Sequence, residues 1–202
     1  MLYQINTKSL KYWKNKEMKY LILFVLPLLI MSADYETQKY DVVLKDNNFE
    51  IRYYPSVLKA KVISENGANN NFMKLFKYIS GNNSNNQKIA MTTPVYLSKE
   101  DNINSIEFVM PAKHNMDNIS KPNDENIKIY ESKAGHYASV RFSGWGNRKK
   151  IKNYSNILYD KLNVLDIKHI GSPYFVSYNS PYKVFNRRNE VMVKIEYNTN
   201  PQ

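Results

Sequence analysis

Twice along this chain an amphipathic helical period interrupts runs of period-two, strand-like sequence, and few folds accommodate that. Residues 70–79 place Phe72, Leu75, Phe76 and Ile79 at i, i+3, i+4 and i+7, with Gly81 just beyond as a stop, which predicts a helix. Residues 149–162 predict a second, with Ile151, Tyr154, Leu158 and Leu162 inward. Alternation predicts strands at 40–44, 49–54, 57–63, 105–110, 127–132, 137–142, 174–178 and 190–197. In the third, Leu58, Ala60 and Val62 face one way and Lys59 and Lys61 the other. In the last, Val191, Val193, Ile195 and Tyr197 oppose Glu190, Met192, Lys194 and Glu196. Strands, helix, strands thus occur twice, offset by about 80 residues. That order predicts an α+β fold with pseudo-twofold symmetry, a helix outside each half of a curved sheet, and a pocket at the seam.

At 202 residues and 43% hydrophobic content, the chain is long and apolar enough for one globular domain. The absence of cysteine removes disulfides, thiolate nucleophiles and thiolate-bound metals. The net charge is +11; without residues 1–33, which hold five Lys and one Glu, +7 remains. That charge is scattered apart from Arg148-Lys149-Lys150 with Lys152 and the pair Arg187-Arg188. No zinc-finger spacing or helix-turn-helix signal organises it, so nucleic acid is not the expected partner.

Residues 1–17 are polar and basic without an apolar period. Lys19 then precedes an apolar run at 21–31, and Met31-Ser32-Ala33 ends small. The run is short for a spanning helix, so a signal peptide and export are expected, with an uncleaved membrane anchor as the alternative. Met18 is a candidate true start. Residues 1–33 are therefore read as an extension with signal peptide, and 34–202 as the domain.

Residues 178–197 form the most chemically suggestive stretch. Asn179-Ser180-Pro181 is a turn, after which Lys183, Arg187 and Arg188 alternate with the aromatics Tyr182 and Phe185. A cationic, aromatic lip feeding a core strand suits a flat apolar ligand with acidic groups on one edge. Arg187 and Arg188 could equally pair with carboxylates such as Glu190 and Glu107. Catalytic signatures are lacking: there is no G-x-S-x-G, no H-E-x-x-H and no cysteine, so no enzyme is expected. Glu50, Glu107 and Glu190 sit on strands and could cluster. His114, His136 and His169 read as surface histidines in loops or strand edges, without metal spacing.

EIRYY (50–54), FMKLFKYISG (72–81), KIAMTTPV (88–95), VRFSG (140–144) and YNSPYKVFNRRNEV (178–191) together resemble the SOUL haem-binding family over about residues 37–197. The resemblance implies a distorted antiparallel β-barrel with two flanking helices, a tandem βαββ repeat, and binding of haem or a related tetrapyrrole without an established reaction. It further implies that Phe72, Leu75 and Phe76 form an apolar wall for the porphyrin and that Lys183, beside Arg187, meets a propionate. A family arginine that would supply a second propionate contact falls on Asn69. The histidine proposed as iron ligand in one subgroup falls on Tyr53, leaving tyrosinate ligation or no axial protein ligand. From the residues alone, Tyr53 reads as a buried tyrosine beside Phe49 and Ile51. A reversible carrier, scavenger or buffer is the expected role. The same fold also serves as a small-molecule effector-binding or protein-interaction module, which is the alternative, ahead of a tetrapyrrole-modifying enzyme.

Overall fold

The computed structural model of the protein describes residues 35–65, 70–100, 103–180 and 182–197. The signal reading of 1–33, the start at Met18, Asn69 and Pro181 lie outside them. Two parallel residues pairs, β1 (Glu36–Thr37) and β5 (Thr92–Thr93), make a small ribbon. The remaining strands form one sheet: β2 (Asp41–Asp46), β3 (Phe49–Tyr54), β4 (Leu58–Glu65), β6 (Val95–Glu100), β7 (Ile103–Val109), β8 (Ile127–Glu131), β9 (Gly135–Phe142), β10 (His169–Ser177) and β11 (Asn189–Ile195). Helix α1 spans Asn71–Ile79 and α2 spans Arg148–Val164. Asn147 caps α2, its side-chain oxygen accepting from the Lys150 amide.

The sheet order is β2-β3-β9-β11-β10-β6-β7-β4-β8, and all its pairings are antiparallel. It curls without closing: β2 and β8 remain separate edges, so the expected barrel is an open sheet. Both edges carry charge, Asp41, Lys45 and Asp46 on β2 and Lys128 and Glu131 on β8, which protects them from pairing.

Strand register carries one row of side chains across the sheet. Ile127, Val62, Ile106, Leu97, Phe175, Val191, Val140 and Phe49 are successive cross-strand partners and share a face. Both helices lie on this face. α1 packs over β4 and β7 at one end of the row, and α2 over β9 and β11 at the other. Leu158 and Leu162 of α2 are fully buried, as the sequence period requires.

Helix α1 is rotated from its expected setting. Asn71, Leu75, Tyr78 and Ile79 point inward, while Phe76 is 44% exposed. Tyr78 decides this: its hydroxyl donates to the Ser120 carbonyl at 2.8 Å, tying the helix to the loop before β8. The closing strand also differs from expectation. Its polar face is buried like its apolar one, with Glu190 and Met192 essentially inaccessible.

Candidate functional site

Cover over the shared row is uneven. Val62, Val191, Val140 and Phe49 are sealed beneath the helices, whereas Ile106, Leu97 and Phe175 between them are only half-buried. From β7 to β9 is four strand steps, or about 19 Å at ~4.8 Å each. Helices of ~10 Å diameter centred over those strands would, from this spacing, have room for a strip of at most about 9 Å between them, narrowed where α2 also meets β10. Its floor is aliphatic and aromatic. One wall is the α1 pair Phe72 and Phe76, whose rings stack at 12° with centroids 6.2 Å apart; Phe72 also meets Phe108 edge-on at 5.3 Å.

The other wall is the turn before α2. Gly146 sits so close to Phe175 that a Cβ there would lie 2.3 Å from its ring. Gly146→Ala is accordingly expected to lower stability by about 1–3 kcal/mol as ring or turn moves, read as a fall in the urea midpoint. The loop between β10 and β11 adds the lip. Ser177, from which it departs, pairs with Val95, and Val95 pairs with Phe108 beneath Phe72. Two strand steps, roughly 10 Å, therefore separate the root of the lip from the α1 wall.

The residues singled out from sequence take different roles. Phe72 is half-buried and Phe76 exposed on α1, and Lys183 is exposed on the loop between β10 and β11. Leu75 is wholly buried in the core under α1 and presents nothing to a ligand. Arg187 is scaffolding: its Nη1 donates to the carbonyls of Ser180 (2.9 Å) and Lys183 (2.6 Å), and its guanidinium lies 4.4 Å from the Trp145 ring centroid. It has no carboxylate partner among the described residues. Tyr53 is neither buried nor near α1. It is exposed, 5.2 Å from the His136 ring, which also contacts Tyr197. His136 itself lies in β9, between β3 and β11 rather than at an edge. His114 is in the loop after β7, and His169 opens β10 against Tyr159. None of the three occupies a groove position. Sequence reasoning missed Leu97, Ile106 and Phe175, because only cross-strand register brings them together.

The opposite face of the sheet is filled by its own charges. Arg52 grips Glu190 with two bonds, Nη1 to Oε2 at 2.6 Å and Nη2 to Oε1 at 3.0 Å. Arg188 Nε (2.9 Å) and the Tyr178 hydroxyl (3.0 Å) also donate to Glu190. Burial alone would raise the Glu190 carboxyl, but Arg52 and Arg188 outweigh it and hold it below the usual glutamate range. Burial opposes the charge of Arg52, yet Glu190 reverses this and raises its pKa. Burial pushes the neighbouring Tyr54 phenol up to about 12. Beside this network Lys59 and Lys61 pair with Glu107, each at 3.1 Å, and Lys59 lies 3.7 Å over the Tyr96 ring. Glu50 joins Arg52 at 2.8 Å, so Glu50 and Glu190 share one arginine while Glu107 stands apart. The remaining void, lined by Tyr54, Lys59 and Tyr96, is about 10 Å³, the space of one water.

A larger cavity of about 460 Å³ opens where β3 turns into β4, over Leu58, Val109 and Met110. His114 borders it with a buried Nε2 that has no hydrogen-bond partner. Its rim carries Glu36, Asp117 and Glu131 against one lysine, Lys39, which repels a dianionic ligand.

A family model for the SOUL heme-binding protein matches residues 35–194. The chain belongs to the SOUL heme-binding protein family. Heme-binding protein 2 of Homo sapiens is 30% identical over 164 residues, covering 71% of this chain and 76% of that protein. Its Mus musculus counterpart is 26% identical over 168 residues, covering 75% and 80%. Solved structures extend the likeness of fold alone. A hydrolase from Listeria innocua superposes with TM-score 0.55 at 6% identity, covering 76% of this chain and 94% of that one. The C-terminal domain of EcmrR gives 0.54 at 14% identity, covering 73% and 96%.

Proposed function

We propose that this SOUL-family chain binds haem or a related tetrapyrrole reversibly in the groove between α1 and α2, as a carrier, scavenger or buffer without enzymatic activity. Each half of a pseudo-twofold chain supplies one wall. The observation that carries this reading is the half-buried row Ile106–Leu97–Phe175 between two sealed ends. Burying roughly 300 Å² of macrocycle at ~25 cal/mol/Å² contributes on the order of 7 kcal/mol before association costs. Micromolar affinity needs about 8 kcal/mol. An exposed Lys183–propionate pair adds ~0.5–1 kcal/mol. Exclusion of water plus one cation therefore approaches that figure, before association costs, without a bond from protein to iron. Haem supplies its own redox and ligand chemistry when bound; the chain's part is to cover a face and orient the acidic edge toward Lys183. We further propose that residues 1–33 direct export.

Titrating the full chain with haemin tests this. A broad, weakly shifted Soret band is expected, since no histidine occupies a groove position. Phe76→Ala should weaken binding about tenfold, because a half-exposed ring gives up mainly ligand contact. His114→Ala should leave the curve unchanged. A sharp, strongly shifted band abolished by His114→Ala would move the site to the cavity beside β4.

A further inference from the structure

We propose that the tip formed by the β10–β11 loop and the start of α2 docks onto anionic phospholipid bilayers. The two stretches adjoin: Asn189 Nδ2 donates to the Gly144 carbonyl at 2.6 Å, and Arg187 stacks over Trp145. Tyr182 (84% exposed), Phe185 (81%) and Trp145 (54%) stand out from this tip, with Val184 between the first two. No ring contact engages Tyr182 or Phe185 among the described residues, and large apolar side chains gathered on one surface mark an interaction site.

Charge chooses the partner. Arg148, Lys149, Lys150 and Lys152 follow Trp145 in the first turns of α2 and Lys183 lies between Tyr182 and Val184, and none has a carboxylate partner among the described residues. The single acid in residues 141–152 and 182–190 is Glu190, which is buried and already matched by Arg52 and Arg188. Lys149, Lys150 and Lys152 also line an open recess of about 470 Å³ with Asn147, Asn153 and Asn156, amines and amides suited to a phosphate headgroup. Protruding aromatic and aliphatic side chains above a cationic collar match the depth profile of a bilayer surface, with Trp and Tyr at headgroup level and Phe and Val below. Single-stranded nucleic acid would instead need aromatics laid flat along a groove, whereas Tyr182 and Phe185 stand more than four-fifths exposed. The surface borders the haem groove but does not depend on haem for its chemistry.

Co-sedimentation of the full chain with vesicles tests the proposal, using phosphatidylcholine alone and phosphatidylcholine mixed with phosphatidylserine. Because residues 1–33 include an apolar run, the decisive comparison is between variants of the same full chain. Tyr182→Ser with Phe185→Ser should lower retention on the mixed vesicles about tenfold or more, and Lys149→Glu with Lys152→Glu should do likewise. Raising the salt concentration should weaken wild-type retention, and Phe76→Ala should leave it unchanged, which separates this surface from the haem groove. All these positions are exposed, so circular dichroism should be unaltered. Retention indifferent to both pairs of substitutions, or equal on neutral vesicles, overturns the proposal. So does RNA binding lost in the same variants while vesicle retention stays unmoved.

Discussion

Glu190→Ala is expected to destabilise the protein by about 3–5 kcal/mol, enough to consume a large part of an ordinary domain's stability. The carboxylate is inaccessible and accepts four hydrogen bonds, two from Arg52 and one each from Arg188 and Tyr178. Removing it leaves the Arg52 guanidinium, itself almost fully buried, with Glu50 as its one carboxylate among the described residues, beside the Tyr54 hydroxyl at 3.2 Å and the Tyr40 ring. Arg188 is partly exposed and can turn to water, so Arg52 bears most of the loss. Replacing Arg52 and Glu190 together by Met should recover much of the deficit, because neither charge is then left without its partner. A single substitution costing under ~1 kcal/mol in urea unfolding would show the network to be incidental.

The same carboxylate gives stability a pH dependence of defined sign. Its pKa in the folded chain lies below the ordinary 4.5, so the unfolded chain binds the proton more readily. Its contribution is fully present above about pH 4.5 and is lost as pH falls through the lower folded value. Glu107 acts in the same sense: burial raises it, but Lys59 and Lys61 bring it below the usual range. The urea midpoint should therefore decline below pH 4.5 in wild type and decline less steeply in Glu190→Gln.

Much of this architecture was legible because period and burial agree. β3 falls where alternation put it, and Leu158 and Leu162 of α2 are sealed where a 3.6-residue period put them. Failures occurred where tertiary contacts override local pattern. Helix α1 carries apolar residues on a wider arc than one sheet can cover, and the Tyr78–Ser120 bond, remote in sequence, selects which part turns inward. Strand β6 was not predicted: VYLSKE is short, follows a proline and ends in charge, and its place is fixed by β7 and β10 on either side. Glu190 alternates with valines as a solvent-facing residue would, yet it is buried. Nothing local announces Arg52, 138 residues away, as its partner. The groove was harder still, since its floor comes from β6, β7 and β10, and only register aligns Leu97, Ile106 and Phe175. The cationic lip is legible in the sequence and Lys183 is exposed, but Arg187 spends its donors on backbone carbonyls of its own loop.

Leu97→Glu should abolish measurable haem binding at concentrations where wild type saturates, a loss of at least about a hundredfold. Leu97 is central in the groove floor, flanked by Ile106 and Phe175 in the same row, and is half-buried. In the free protein the new carboxylate can reach water along the open strip, so folding should survive with a loss of about 1–2 kcal/mol. A macrocycle laid over the floor would close that route and force a desolvated charge against an apolar face, at several kcal/mol. That penalty exceeds the ~0.5–1 kcal/mol expected from deleting Lys183 and the ~1.4 kcal/mol implied by a tenfold loss at Phe76. The order Leu97→Glu, Phe76→Ala, Lys183→Ala, His114→Ala is thus a signature of a ligand held by its apolar face over β6. Leu75→Ala gives the contrast: its side chain packs inside the core, so it should cost about 2–5 kcal/mol in stability while affinity of the folded fraction changes little. Haemin titrations of Leu97→Glu that superpose on wild type would remove the groove as the binding site, whatever the other variants do.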